Sequence, residues 1–156
     1  METTLIILKP DAIQRGLMGE IIARFEAKGL QIVGAKLIQV TPELAAKHYA
    51  EHQGKPFYDG LVDYITSAPV MVLAIHGLEA IDVCRQLMGA TNGRAAQPGT
   101  IRGDYSMSRQ KNLVHGSDSP ESAERELSIY FSEDELLSFE RAGTAWSYDV
   151  AGGEID

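Results

Sequence analysis

The run TTLIIL, Thr3 to Leu8, carries four consecutive large apolar residues with no polar alternation. A β-rich run of this kind is apolar on both faces. It must be a central strand covered on both sides, or one buried by self-association. Lys9-Pro10-Asp11 ends it. A second run, VMVLAI (Val70 to Ile75), has the same character. Two such strands require helices, or another subunit, on both faces of a sheet.

The rest of the chain supplies the helices. In LMGEIIARFEAKG, Leu17, Met18, Ile21, Ile22 and Phe25 recur at helical spacing, and Gly29 is a C′ stop. LQIVGAKLIQV reads as a strand ending at Thr41-Pro42. TPELAAKHYAEH is a helix with Thr41 as N-cap, Pro42 at N1 and Glu43 in the first turn. PFYDGLVDYITS is a further short helix, and LEAIDVCRQLMG places Ile81, Cys84, Leu87 and Met88 on one side of another. Ala90 to Lys111 is a long irregular segment, of the kind that usually carries function. NLVHG is a fourth strand. Ser119 then caps a helix with Pro120 at N1, and the chain after about Trp146 reads as an irregular acidic tail, residues 147–156. The order β-α-β-(helices)-β-α-β-α predicts an α+β fold. It is the ferredoxin-like split βαβ sandwich, a four-stranded antiparallel sheet with added helices. Without a repeat or linker, residues 1–156 read as a single domain.

Charge and length bound the function. A net charge of −8 argues against nucleic acid or an anionic membrane as the main partner. It leaves room for a small anionic substrate in a locally basic pocket. The longest apolar run is too short to span a bilayer, and the N-terminus lacks a basic n-region. A cytoplasmic protein is expected. Cys84 is the single cysteine, which excludes an internal disulfide and a Cys-rich metal centre.

The common phosphate loops G-x-x-x-x-G-K-[ST] and G-x-G-x-x-G are absent, as is the G-x-S-x-G elbow. His48 and His52 stand four apart, but Tyr49 breaks the H-E-x-x-H zinc pattern, and solvated or partly packed histidines are expected there. His76 reads as a strand-end surface residue. Lys9 alone reads as a snorkelling lysine. Arg85 alone is unremarkable, and Arg102 lies between glycines in PGTIRGD. His115, in NLVHGSDS, has the strongest local setting. Gly116 is expected to leave open space beside the ring, and Ser117 offers a hydroxyl. Ser119 opens a helix whose free N–H groups favour an anion. Glu126, seven residues on, shares that helix face and can orient the imidazole. Locally, a packed strand-end histidine and a reacting one both remain open.

Together, NLVHGSDS, LKPDAIQRG, PGTIRGD and FEAKGLQIVGAK resemble the nucleoside diphosphate kinases. The family motif N-x-x-H-G-S-D stands here as Asn112 to Asp118, and the resemblance runs from about Thr4 to Trp146. It implies transfer of the terminal phosphoryl group of a nucleoside triphosphate, typically ATP, to a nucleoside diphosphate. The transfer is ping-pong, through a phosphohistidine on His115. Imidazole suits that role, being a good nucleophile when neutral, and an ordinary histidine with pKa near ~6.5 is mostly neutral at pH 7. Glu126 would fix the ring and Ser117 support that contact. Lys9 and Tyr49 would lie near the transferred group, and Arg85, Thr91 and Arg102 would hold phosphates. Lys9 and Asn112 would read the sugar 3′-hydroxyl, Phe57 would stack on the base and Leu61 pack beneath it, with His48 supporting. Mg²⁺ would come with the nucleotide, held by phosphates and water rather than by protein ligands. The resemblance also implies a homo-oligomer, a tetramer or hexamer.

The sequence departs from the family in three places. Arg109 stands where a short aliphatic residue usually faces the stacking phenylalanine; a guanidinium can also lie flat on a base. Ala90 and Gly93 replace the glutamate and proline of a loop used in subunit contacts. The competing reading is a nucleotide-sensing module without turnover. Such a module should have lost one of His115, Lys9, Arg85, Arg102 and Glu126, and all five are present.

Overall fold

The computed structural model describes residues 1–153 and Ile155. Four strands, β1 (Glu2–Leu8), β2 (Gln31–Ile38), β3 (Val70–Gly77) and β4 (Val114–Gly116), form one sheet of order β2-β3-β1-β4. Every pairing is antiparallel, so β1 and β2 run parallel with β3 between them. This is the split βαβ arrangement of the ferredoxin-like fold.

β1 is covered on both faces within the single chain. Ile6 and Leu8 pack with Ile21, Phe25, Cys84, Met88 and Ile101 on one side. Leu5 and Ile7 pack with Ala45, Ile65, Tyr130 and Phe131 on the other. The first layer comes from α2 (Met18–Ala27), α5 (Ala80–Met88) and α6 (Ile101–Tyr105). The second comes from α3 (Pro42–His48), α4 (Tyr58–Ile65) and α7 (Pro120–Tyr130). The unalternating run of β1 is thus explained without a second subunit. Sequence caps also hold: Thr41 Oγ1 accepts from Leu44 N at 3.1 Å, and Ser119 Oγ from Ser122 N at 3.1 Å. Gly29 follows α2 with φ +105°, the left-handed stop expected of it.

Five expectations change. Pro10 does not merely end β1 but starts a short helix, α1 (Pro10–Gln14), at its N1 position. The long segment is not wholly irregular, since Thr100 caps α6 by accepting from Gly103 N at 3.0 Å. The fourth strand is shorter than NLVHG, because Asn112 and Leu113 form a turn. The expected tail overlaps α8 (Thr144–Ser147), and its residues 154 and 156 lie outside the described residues. His76 lies at the end of β3 but is half-buried, its Nδ1 2.9 Å from Thr3 Oγ1. No helix among the described residues is long and apolar enough to cross a membrane.

Candidate active site

β4 pairs with the end of β1, and the register sets His115 opposite Ile7. α7 starts five residues after His115 and runs back across the sheet. The face carrying Glu126 therefore meets the histidine: His115 Nε2 and Glu126 Oε1 are 2.5 Å apart. Ser117 Oγ donates to the same oxygen at 3.2 Å. The carboxylate side chain is 5% exposed and the imidazole side chain 32%, so the ring has one face toward solvent. Burial alone pushes the Glu126 carboxyl up. The hydrogen bond from His115, with the neighbouring imidazoles and the Ser117 hydroxyl, outweighs this and holds it below the usual carboxylate range. Glu126 is an ionised acceptor, and the nitrogen it engages is Nε2.

His115 opens onto a cleft of about 350 Å³. Of the residues singled out in the sequence, Lys9, Tyr49, Leu61, Arg85, Thr91 and Arg102 line it with His115 and Glu126. Asp118, the last residue of the motif, and Arg125, which the sequence did not mark, line it as well. Lys9 stands where β1 passes into α1. Its Nζ donates to Asn112 Oδ1 at 2.5 Å and to Gln110 O at 3.0 Å. Burial, opposed by Asp11 and reinforced by Arg102, lowers the ammonium to about 8. It is charged at neutral pH and is no snorkelling surface residue. Arg102 is buried, and Nε, Nη1 and Nη2 donate to the carbonyls of Asn112, Gly89 and Val114. A guanidinium has five N–H donors, so two remain for the cleft. Burial and then Arg85 push this group down to about 10, still cationic at neutral pH.

Asn112 is buried below the cleft, with Nδ2 donating to Thr91 O at 2.9 Å and Oδ1 accepting from Lys9. Ser117 is likewise behind the wall, reaching the site through Glu126. Phe57 stands apart, 51% exposed at the start of α4, with its ring 5.2 Å from that of His52. Arg109 is exposed, and neither it nor Phe57 lines the cleft.

Two local expectations fail. Gly116 does not leave open space beside the imidazole. A Cβ there would lie 2.7 Å from Met88 Sδ and 3.0 Å from Ile6 Cδ1. Glycine lets β4 press against α5, which brings Arg85 to the cleft. His48 is also not a solvated histidine. It is 7% exposed, its ring lies 4.8 Å from that of His115 and its Nδ1 is 2.9 Å from the Tyr130 hydroxyl. Burial, then His115, lowers it to about 3, so it stays neutral. Tyr49 is pushed up to about 12 by burial and by Glu126, and remains a phenol. Tyr130 was missed by the sequence reading, although it stands four residues after Glu126 on the same helical face.

The whole chain has close relatives. The family model for nucleoside diphosphate kinase matches residues 2–136. The nucleoside diphosphate kinase of Rhodopirellula baltica is 61% identical over 139 residues, covering 89% of this chain and 91% of that one. That of Carboxydothermus hydrogenoformans is 54% identical over 149 residues, covering 96% and 100%. Among solved structures, a halophilic nucleoside diphosphate kinase from Halobacterium salinarum in complex with CDP superposes with a TM-score of 0.92. It shares 49% identity, covering 95% of this chain and 99% of that one. A Babesia bovis family member also gives 0.92, at 44% identity, covering 95% and 100%. A carboxylate-oriented histidine beside three cations, on this fold and with these relatives, leads to one assignment: the chain belongs to the nucleoside diphosphate kinase family.

Proposed function

We propose that the chain transfers the terminal phosphoryl group of a nucleoside triphosphate, typically ATP, to a nucleoside diphosphate through a phosphohistidine on His115. The observation that carries this reading is the 2.5 Å contact of His115 Nε2 with Glu126 Oε1 in a cleft lined by Lys9, Arg85 and Arg102. A neutral imidazole donating Nε2–H to Glu126 has its lone pair on Nδ1. Nδ1 attacks the γ-phosphorus, the bond from phosphorus to the bridging oxygen breaks, and the nucleoside diphosphate leaves with that electron pair. A second nucleoside diphosphate then attacks with a terminal oxygen, the N–P bond breaks, and Nδ1 regains its lone pair. Glu126 holds the ring through both halves and stabilises the positive charge that phosphorylation places on it.

Such a transfer is largely positioning and charge stabilisation. Lys9, Arg85 and Arg102, with the Thr91 hydroxyl, are suited to the phosphates. Tyr49, held as a phenol, offers an O–H near the transferred group. Asn112 and Lys9 are suited to the sugar 3′-hydroxyl. Leu61 lies under the base, with Phe57 stacking on it from the rim. A single stacking ring reads no base edge, which favours broad base specificity. A sensing module needs no carboxylate to orient a histidine.

For Mg²⁺, the one close trio of His, Cys, Asp or Glu side chains among the described residues is His48, His115 and Glu126, with ligand atoms within 4.8 Å of one another. Two nitrogens and one oxygen suit a softer ion, whereas Mg²⁺ takes oxygen. The cationic cleft fits Mg²⁺ held by nucleotide phosphates and water. When bound there it offsets phosphate charge. We include in the proposal a single domain over residues 1–156, a cytoplasmic location, and a tetramer or hexamer.

The test is incubation with γ-labelled ATP, followed by mapping of acid-labile label and its removal by a nucleoside diphosphate. Label is expected on His115 and absent from His115→Ala. Unlabelled parent, or an equally labelled variant, overturns the mechanism.

A further inference from the structure

Between Asn112 and His115 the backbone makes an unusual turn. Leu113, a non-glycine residue, has φ +75°, and Val114 N donates to Asn112 O at 2.8 Å across it. A three-residue turn with positive φ at its centre is rare and strained, and such strain persists only where the surroundings over-determine it. Here they do. The Leu113 side chain is fully buried in the core. Leu113 O accepts from Lys9 N at 2.8 Å. Arg102 donates to the carbonyls on both sides of Leu113, at 3.2 Å and 2.7 Å. The remaining group, Leu113 N–H, points the other way and donates at 3.0 Å to Asp11 Oδ2. The second oxygen of that carboxylate accepts from the Tyr64 hydroxyl of α4.

We propose that Asp11 is a positioning residue, whose carboxylate ties α1 and α4 to the turn at Leu113 and so sets Asn112, Lys9 and His115 in one arrangement. The inference rests on the phosphohistidine reading of His115. Asp11 touches no part of the cleft. Its effect passes through the turn to Asn112, whose Oδ1 accepts from Lys9, and to β4, which begins at Val114. The same carboxylate acts on Lys9 by charge. Lys9 is faced by Asp11, by Arg102, by the Tyr64 ring 5.3 Å from its Nζ, and by the Asn112 and Gln110 oxygens. Asp11 is the carboxylate that favours the ammonium, against burial and Arg102. One side chain thus fixes the backbone that carries the nucleophile and sustains the charge of the cation beside it. Tyr64 serves as its anchor, pushed far up from its ordinary value by burial and by Asp11, and so a permanent O–H donor.

Two variants test this on the full-length protein. Asp11→Asn keeps an oxygen for Leu113 N–H and removes the charge; Asp11→Ala removes both. The readouts are the single-turnover rate of His115 labelling by γ-labelled ATP and the pH profile of kcat/KM. Displacement of a reacting group by about 1 Å can cost on the order of 100-fold. Asp11→Ala is therefore expected to slow labelling by ~10- to 100-fold, mainly in kcat. Asp11→Asn should recover most of that rate at pH 6. Its alkaline limb should move to lower pH than the parent's, because Lys9 then loses its proton earlier. Labelling of Asp11→Ala at the parent rate overturns the proposal. So does an Asp11→Asn variant as slow as Asp11→Ala at pH 6, or one with the parent's alkaline limb. Should Asp11→Ala fail to fold, the profile of Asp11→Asn decides alone. Absence of label in the parent would instead tell against the phosphohistidine, so the two failures are distinct.

Discussion

At the scale of single residues, burial keeps His48 a neutral imidazole and Tyr49 a phenol beside the reacting histidine. Lys9, lowered to about 8, loses its charge within reach of neutrality. Its ammonium is present below that value and lost above it. Nucleotide phosphates bind the charged form, so kcat/KM should fall as pH rises through about 8, as measured in an initial-rate series at fixed ionic strength. A profile flat to pH 9 would exclude Lys9 from phosphate binding. The pair of His48 and Tyr130 makes a second, separate prediction. Tyr130→Phe leaves His48 Nδ1 buried without its partner, which should cost about 1–3 kcal/mol of stability in urea unfolding. These two residues illustrate what was legible. Lys9 was found because the motif LKPDAIQRG marked it, and Glu126 because it lies seven residues beyond Ser119 on the same helix face. Tyr130 was not, because nothing in a lone tyrosine tells that its hydroxyl will meet a histidine 82 positions earlier in the chain.

At the scale of elements, the site is assembled where short pieces meet. The long strands and the capped helices were legible, because periodicity and caps act over neighbouring residues. β4 has three residues and exists through pairing with β1, over a hundred positions away. α6 has five residues, too few for periodicity to register, and is held by the Thr100 cap and by Arg102 contacts. α6 also shows how tightly a cation is placed. A Cβ on Gly103 would lie 1.9 Å from the backbone oxygen of Gln97, which cannot move without shifting the loop. Gly103→Ala should therefore displace α6, destabilise the fold by about 2 kcal/mol or more, and weaken nucleotide affinity through Arg102. Calorimetric unfolding and equilibrium nucleotide binding would report the two effects. An alanine variant with the parent's affinity would show that Arg102 does not depend on the position of α6.

At the scale of the molecule, a net charge of −8 coexists with a cleft lined by Lys9, Arg85, Arg102 and Arg125. The local arrangement, not the total, governs which anion can enter. Building that cleft also placed a neutral histidine in the interior, with a consequence for the whole fold. His48 is lowered to about 3 by burial and by His115, whereas in the unfolded chain it protonates below about 6.5. Between those values the unfolded chain binds a proton that the folded chain does not. Stability therefore falls as pH drops from about 6.5 toward 3, and is unaffected by this group above 6.5. From pH 7 to pH 5 the loss from His48 should be about 2 kcal/mol. Most carboxylates remain ionised at pH 5, which isolates the histidine contribution. Urea unfolding of the parent and of His48→Gln at both pH values measures it. Glutamine cannot titrate, so the variant should lose about 2 kcal/mol less than the parent over that interval, whatever its stability at pH 7. Equal losses in the two proteins would place the acid sensitivity elsewhere and would mean that His48 accepts a proton in the folded state.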